Sequence, residues 1–149
     1  MLLKGSCHCQ KIKFQIETDW YYPLMWCYCS ICRKTNGGPI SCNIKGKKAD
    51  LKITRGRKFI KMYCAIDCER YFCSRCGSSL YILDGRWPKD CWPNAAAIDT
   101  KLPKCPKQVH IFAKNAPSWF SIKHKGPQFK GYTKLWIEDW HRKMKLVSS

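Results

Sequence analysis

The sequence lacks any long apolar run. At its amino terminus Leu2 and Leu3 are followed at once by Lys4, which leaves too little apolar sequence for a secretory signal peptide. No other stretch approaches the roughly 20 apolar residues of a transmembrane helix. We therefore expect a cytoplasmic protein that does not insert into a membrane.

Acidic residues are scarce. The chain has 10 Asp and Glu against 28 Lys and Arg, which gives a formal net charge of +18. Such a charge attracts nucleic acid, acidic proteins or small acidic substrates. However, no block of like charge exceeds the scattered group Lys45, Lys47 and Lys48, and no recognised nucleic-acid motif occurs. A solvated basic surface is the simpler interpretation, so the sequence allows nucleic acid as a partner without favouring it.

Internal repeats and linkers are also absent from the 149 residues, a length that suits one domain. Hydrophobic residues make up 45% of the chain, enough to build a core. The pattern changes after residue 132, which predicts a main domain over 1–132 and a helical extension over 133–149. In the extension, Trp136 and Trp140 are four residues apart and are predicted to share the apolar stripe of a short helix. That helix is predicted from five apolar residues, namely Leu135, Trp136, Ile137, Trp140 and Met144.

Short strands are predicted for most of the main domain. The clearest covers residues 11–17, where Ile12, Phe14 and Ile16 alternate with polar residues as in a half-buried strand. The fold class is therefore mainly β, with a short C-terminal helix. Further strands are predicted over residues 40–44, 51–54, 59–63, 79–83, 95–98 and 109–112.

Cysteine is abundant, with twelve in the chain. In a reducing compartment, clustered thiols hold metal more often than they form disulfides, although an even number leaves disulfides as the alternative. Cys7 and Cys9 form one close pair, and Cys73 and Cys76 a second. Together they make the four ligands of a closed, structural zinc site. In an extended segment side chains alternate, so Cys7 and Cys9 lie on one face and His8 points to the other. We therefore do not expect His8 to be a ligand.

A second cluster holds only three thiols, those of Cys27, Cys29 and Cys32. Three protein ligands and one exchangeable position are typical of a catalytic zinc. Alternatively, this cluster takes Cys73 and Cys76 as partners, or a spare cysteine completes a second structural site. Arg33 and Lys34 follow the cluster directly and favour its thiolate form; they are candidate contacts for a substrate carboxylate, or simply solvated charges. The spare cysteines are Cys42, Cys64, Cys68, Cys91 and Cys105.

These motifs resemble those of the glutathione-dependent formaldehyde-activating enzyme family, which also contains centromere protein V. The resemblance runs from about Gly5 to Tyr132. It departs from the family pattern at Gln10, where the family usually has glycine, and at Tyr28, where it often has histidine. The residues that carry it are Gly5–Cys9, Cys27–Lys34, Arg70–Ser78, Ala96–Asp99, His110–Phe112 and Ala116–Trp119.

The resemblance implies an Mss4-like fold, in which several coiled β-sheets are stapled by zinc. It implies two zinc ions per chain: a structural ion held by Cys7, Cys9, Cys73 and Cys76, and a catalytic ion held by Cys27, Cys29 and Cys32. The family reaction joins glutathione and formaldehyde to S-(hydroxymethyl)glutathione and is classed as that of a carbon–sulfur lyase. A small thiol such as glutathione is then the expected partner.

Two other functions compete with the lyase. One is a non-catalytic zinc module that contacts nucleic acid or an acidic protein. The net charge and the aromatic residues interleaved with lysines near the C-terminus support this function. The other is a redox or metal sensor, in which the spare cysteines act as resolving partners for the three-thiol cluster.

Overall fold

The computed structural model describes residues 1–123 and 125–147. Over these residues the chain forms three β-sheets and two short α-helices, which confirms the expected mainly β fold with a C-terminal helix. The strands are β1 (Leu2–Ser6), β2 (Lys13–Glu17), β3 (Met25–Cys27), β4 (Ser41–Cys42), β5 (Gly46–Lys47), β6 (Lys52–Arg55), β7 (Ile60–Ala65), β8 (Cys68–Cys73), β9 (Ser79–Asp84), β10 (Asp90–Pro93) and β11 (Val109–Ile111). The helices are α1 (Ser30–Asn36) and α2 (Ile137–Lys143).

The first sheet has the order β1-β2-β6 and the second β5-β10-β9-β8-β7. The third has the order β11-β3-β4, with β11 parallel to β3. In β2 the buried Phe14 and Ile16 alternate with the exposed Lys13 and Glu17, as the sequence pattern predicted. This strand begins two residues later than predicted, because the N–H of Cys7 bonds to the carbonyl of Ile12 in a preceding turn.

Two apolar cores hold the sheets together. The first gathers Leu3, Phe14 and Leu80 from the first and second sheets. The second gathers Leu24 and Val109 from the third sheet and its approach with Trp140 of α2. The C-terminal helix is therefore docked by its tryptophan against the third sheet, and its burial supplies the stability that seven residues lack alone.

Only one of the two tryptophans predicted to share the apolar stripe of the C-terminal helix is buried. Trp140 is 6% exposed, but Trp136 is 55% exposed. The helix begins at Ile137, so Trp136 occupies the N-cap position with extended backbone and does not share the buried face. Its ring instead contacts that of Trp87, with centroids 5.1 Å apart.

The strand predicted over residues 95–98 is wrong. Ala95–Ala97 forms a 3₁₀ turn, and the Asn94 side chain caps it by accepting a hydrogen bond from the N–H of Ala96 at 3.0 Å. Three successive alanines have little β-propensity, so a local cap is enough to decide the conformation. Among the residues that the structure describes, no helix is long and apolar enough to span a membrane.

Gly56 is required where the chain passes close to the turn before β2. It has a φ of +72°, and a Cβ at this position would overlap the backbone carbonyl of Lys11. We expect Gly56→Ala to lower the free energy of unfolding by about 2–4 kcal/mol, from left-handed strain plus the clash. Urea unfolding of the metal-loaded protein measures the loss.

Gly37→Ala is the matched control. Gly37 has a φ of +68°, but a Cβ added there would meet no atom within 4 Å. That variant should lose only the strain, about 1 kcal/mol. Equal losses in the two variants would show that the close approach to Lys11 does not matter.

Candidate metal centres and the adjoining cavity

The first cysteine cluster joins the end of β1 to the turn between β8 and β9. The Sγ atoms of Cys7, Cys9, Cys73 and Cys76 all lie within 4.8 Å of one another. The Cys7–Cys9 and Cys9–Cys73 distances are 3.5 and 3.9 Å. Since a tetrahedral site with Zn–S bonds of about 2.3 Å has S···S edges of about 3.8 Å, the geometry fits zinc.

Backbone amides support this cluster. The N–H of Ile12 donates to Cys7 Sγ at 3.2 Å, and that of Arg75 donates to Cys73 Sγ at 3.4 Å. Hydrogen bonds to a charged acceptor favour the anionic form, and thiolates are the form that binds zinc. Four thiolates complete a tetrahedral site, so the set suits a structural role.

The segment after Cys7 is a tight turn rather than the extended segment expected. The N–H of Gln10 bonds to the Cys7 carbonyl at 2.9 Å, and Gln10 has a φ of 60°. This left-handed backbone conformation explains why the resembled family usually has glycine at position 10. A residue with a Cβ costs about 1–2 kcal/mol of folding free energy in that conformation. The Gln10 amide donates to Ser6 Oγ at 3.0 Å, which offsets part of this cost. His8 is exposed and outside the cluster, as expected.

The second cluster lies where β3 runs into α1. Cys27 ends β3, Cys29 is the N-cap of α1, and Cys32 lies in the first turn of the helix. Their Sγ atoms lie within 4.8 Å of one another, and the N–H of Cys32 donates to Cys29 Sγ at 3.3 Å. Over residues 1–123 and 125–147, no further Cys, His, Asp or Glu joins this group.

All twelve cysteines are free thiols, so the structure gives no support to the disulfide alternative. None of the spare cysteines joins either cluster within the described part of the chain. Cys91 and Cys105 are buried, and the Cys105 thiol donates to the carbonyl of Lys107 at 3.0 Å. Cys73 and Cys76 lie with the first cluster, not with the second, so the alternative pairing is not the one that the fold adopts.

Hydrogen bonds among the three thiols of the second cluster shift the pKa values of Cys27 and Cys29 in opposite directions. The pKa of Cys29 is lowered to about 2, because the thiols of Cys27 and Cys32 hydrogen-bond to it and the backbone N–H of Cys32 and the Arg70 guanidinium add to the effect. Hydrogen bonds to Cys29 and Cys32, together with burial, hold the pKa of Cys27 far above its ordinary value. A soft, partly ionised sulfur set of this kind suits zinc.

Arg70 is a buried cation that contacts this cluster. It lies on β8, is 7% exposed, and donates to Cys32 Sγ at 3.5 Å and to Thr35 Oγ1 at 3.3 Å. Three thiolates around a divalent ion carry a net charge of about −1, which one buried guanidinium can balance. The sequence pattern did not predict this role, although Arg70 closely precedes the Cys73–Cys76 motif.

A cavity of about 580 Å³ opens beside the second cluster. Cys27, Cys29 and Cys32 all line it, whereas no cysteine of the first cluster does. Two sets of salt-bridged residues contribute to its wall: Lys45 with Asp90 and Glu138, and Arg86 with Asp84. Five aromatic residues also line it, namely Trp87, Trp92, Phe112, Tyr132 and Trp136. The two clusters therefore differ in access as well as in ligand number.

The model of the family described as glutathione-dependent formaldehyde-activating enzyme matches residues 2–115. The chain belongs to this family. A protein of Halomonas elongata, provisionally named a glutathione-dependent formaldehyde-activating enzyme, is 42% identical, with 98% of each chain covered. A crystal structure of a Rhodobacter sphaeroides protein superposes with a TM-score of 0.58 at 23% identity, covering 67% of this chain and 91% of that one. This second likeness concerns the fold.

Tyr28 stands where the family often has histidine, and it does not line the cavity that the three thiols line. Its side chain is fully buried, and its hydroxyl lies 2.8 Å from Nδ1 of His110 on β11. Burial raises the pKa of Tyr28 to about 12, so the phenol stays protonated. The departure from the family pattern therefore lies in the packing behind Cys27 and Cys29, and it leaves the three sulfur atoms in place.

Arg33 and Lys34 lie outside the cavity in this family member. The Nε–H of Arg33 donates to the carbonyl of Tyr28 at 3.1 Å, and Lys34 is exposed. Neither residue lines the cavity, so their predicted contact with a substrate carboxylate stays a prediction. The basic residues that do line it are Lys45, Arg70 and Arg86.

Proposed function

We propose that the chain is a zinc-dependent carbon–sulfur lyase that acts on the adduct of an aldehyde with glutathione or another small thiol. The observation that carries the proposal is the contrast between the two clusters. One has four thiols and no access to the cavity, and the other has three thiols that line it. Family membership and the name of the Halomonas relative support glutathione and formaldehyde as the substrates.

Cys27, Cys29 and Cys32 would hold the reactive zinc, and the four cysteines of the first cluster would hold the structural one, giving two ions per chain. When bound, zinc with an exchangeable position supplies Lewis acidity, which can lower the pKa of a thiol or polarise a carbonyl. Arg70 would balance the residual charge of the thiolates and so reduce the repulsion of an incoming anionic thiol. The net charge of +18 favours the approach of glutathione, which is an anion.

The proposed reaction is an addition and its reverse. The thiol sulfur forms a bond to the carbonyl carbon, the S–H bond is broken, and the proton ends on the carbonyl oxygen. No redox equivalent is consumed, so the reaction needs no partner beyond thiol and aldehyde. The apolar residues that line the cavity would exclude water and hold the two reactants together beside Cys27, Cys29 and Cys32.

The alternative is a non-catalytic zinc module for nucleic acid or an acidic protein. It depends on net charge, and the scattered lysines form no recognised motif. A cavity lined by a three-thiol cluster has no purpose in that function. The lyase is therefore the better supported proposal.

The test uses protein that carries zinc at the first cluster and cobalt(II) in place of zinc at the second. Ligand binding to the cobalt ion is then visible in the absorption spectrum. We expect glutathione to change the cobalt spectrum and γ-Glu-Ala-Gly, which has no thiol, to leave it unchanged. We also expect the zinc protein to accelerate the exchange between glutathione plus formaldehyde and S-(hydroxymethyl)glutathione, measured by NMR exchange spectroscopy. No spectral response together with no acceleration would overturn the proposal.

A further inference from the structure

Four of the five aromatic side chains that line the cavity are here called the aromatic box: Trp87, Trp92, Tyr132 and Trp136. The ring of Trp87 lies at its centre. It meets Trp92, Tyr132 and Trp136 edge to face, with centroids 5.8, 6.5 and 5.1 Å away. Edge-to-face contacts of this kind hold rings in fixed orientations, so the box is a preformed surface.

The charged groups around the box are already paired. Arg86 bonds to Asp84 through two nitrogens at 2.6 and 2.9 Å. Lys45 lies 3.2 Å from Asp90 and also contacts Glu138. The two carboxylates and the ammonium of glutathione would therefore find few free partners in this part of the cavity. A neutral group suits the lining better than a charged one.

A cationic ligand is also disfavoured. The guanidinium carbon of Arg86 lies 4.7 Å from the ring centroid of Trp87 and 5.9 Å from that of Tyr132. The rings of Trp87 and Tyr132 thus already make cation–π contacts with Arg86, so they cannot form an aromatic cage for an ammonium ligand. What remains is apolar and aromatic contact area.

The size of the cavity allows an aldehyde larger than formaldehyde. The formaldehyde adduct places one hydroxymethyl group on sulfur, whereas an apolar cavity of about 150 Å³ is enough for a benzene ring. The cavity beside the three thiols measures about 580 Å³. A benzene-sized group would fill only about a quarter of this volume, so the remainder is available to the reacting carbon and sulfur and to part of the thiol.

We propose that the aldehyde taken by this chain carries an aromatic or bulky apolar group, which the aromatic box binds while the reacting carbon lies at the three-thiol cluster. This inference rests on the proposed lyase function and names its substrate class. For an aldehyde R–CHO and a thiol R′–SH, the product is the hemithioacetal R–CH(OH)–S–R′. The carbon–sulfur bond forms, and the thiol proton ends on the former carbonyl oxygen.

Two residues of the box lie outside the part of the chain that the family model covers. The model matches residues 2–115, while Tyr132 and Trp136 belong to the C-terminal segment. Docking of α2 through the buried Trp140 fixes this segment against the body of the protein. The C-terminal segment would then determine substrate specificity.

The test measures the binding of two unreactive adduct analogues to the zinc-loaded protein by calorimetry. S-benzylglutathione carries the aromatic group, and S-methylglutathione represents the formaldehyde adduct. We expect S-benzylglutathione to bind about ten- to a hundredfold more tightly, the effect of burying one phenyl ring. In Trp136→Ala the ratio should fall towards one, and Trp136→Phe should restore part of it.

Trp119→Ala is the matched control, because Trp119 is 74% exposed and does not line the cavity. The preference for the benzyl analogue should survive in that variant. Equal binding of the two analogues by the wild type, or no binding of either, would overturn the inference, and so would an equal loss in Trp119→Ala and Trp136→Ala. No cobalt response to glutathione together with no acceleration of the exchange reaction would instead overturn the lyase proposal, so the two failures can be told apart.

Discussion

Cys76→Ser is expected to lose the zinc ion of the first cluster and most of its folding stability. Cys76 is exposed, so the substitution removes a metal ligand without leaving a cavity in the core. Structural zinc contributes about 10–16 kcal/mol of binding free energy, which compares with a total folding stability of about 5–15 kcal/mol for a domain. Loss of one ligand should therefore cost about 5 kcal/mol or more.

The position of the cluster explains why the effect is global. Cys7 and Cys9 follow β1 of the first sheet, and Cys73 ends β8 of the second. The four thiolates thus tie two sheets together across a long stretch of chain, since Cys9 and Cys73 are 64 positions apart. Without the metal, the ends of this long loop must be held by packing alone.

The measurement combines zinc per chain with urea unfolding followed by circular dichroism. Cys64→Ser is the control, since Cys64 is also an exposed cysteine but lies on β7 outside both clusters. It should keep two zinc ions and wild-type stability. A Cys76→Ser protein with both ions and an unchanged unfolding midpoint would contradict the structural role of the cluster.

Cys29→Ser should behave in the opposite way, with the fold retained and the reaction lost. The Cys29 side chain caps α1 by accepting the N–H of Cys32, and serine is among the best N-cap residues. The helix should therefore persist, and the free energy of unfolding should fall by less than in Cys76→Ser, because the second cluster closes only the short segment from Cys27 to Cys32. Only two thiols remain for the second ion, so zinc should fall from two per chain to about one.

We expect this variant to lose the cobalt response to glutathione and at least roughly a hundredfold in rate, a lower bound from the loss of a catalytic ligand. Cys68→Ser is the control, because Cys68 lines the same cavity but is not part of the cluster. It should keep both metal ions and the glutathione response. If Cys29→Ser kept two ions and still responded to glutathione, the three-thiol site would not be the reactive one.

Much of the fold class followed from local patterns. The alternation in β2 and the apolar runs that became β7, β9 and β11 were visible in the sequence, because a half-buried strand must repeat every two residues. The helix α1 was missed, since it spans only the seven residues Ser30–Asn36 and carries almost no apolar stripe. The third-sheet strand β3 was not predicted either, because three residues are too few to show an alternating pattern.

The sequence by itself determined the two sulfur sets. Ligand spacing within each Cys-x-Cys or Cys-x-x-Cys motif is a local property, since a few residues must place two thiols on one ion. Spacing and family resemblance together also indicated that Cys7 and Cys9 belong with Cys73 and Cys76, and the structure brings these four together.

Only the tertiary structure decided what surrounds the second set. Arg70, the paired charges of Lys45 and Arg86, and the aromatic box come from strands and segments far apart in the chain. No local pattern marks such residues, because each would look like an ordinary strand or surface position by itself. Their convergence depends on sheet order and on the docking of α2, which are decided by packing over the whole molecule.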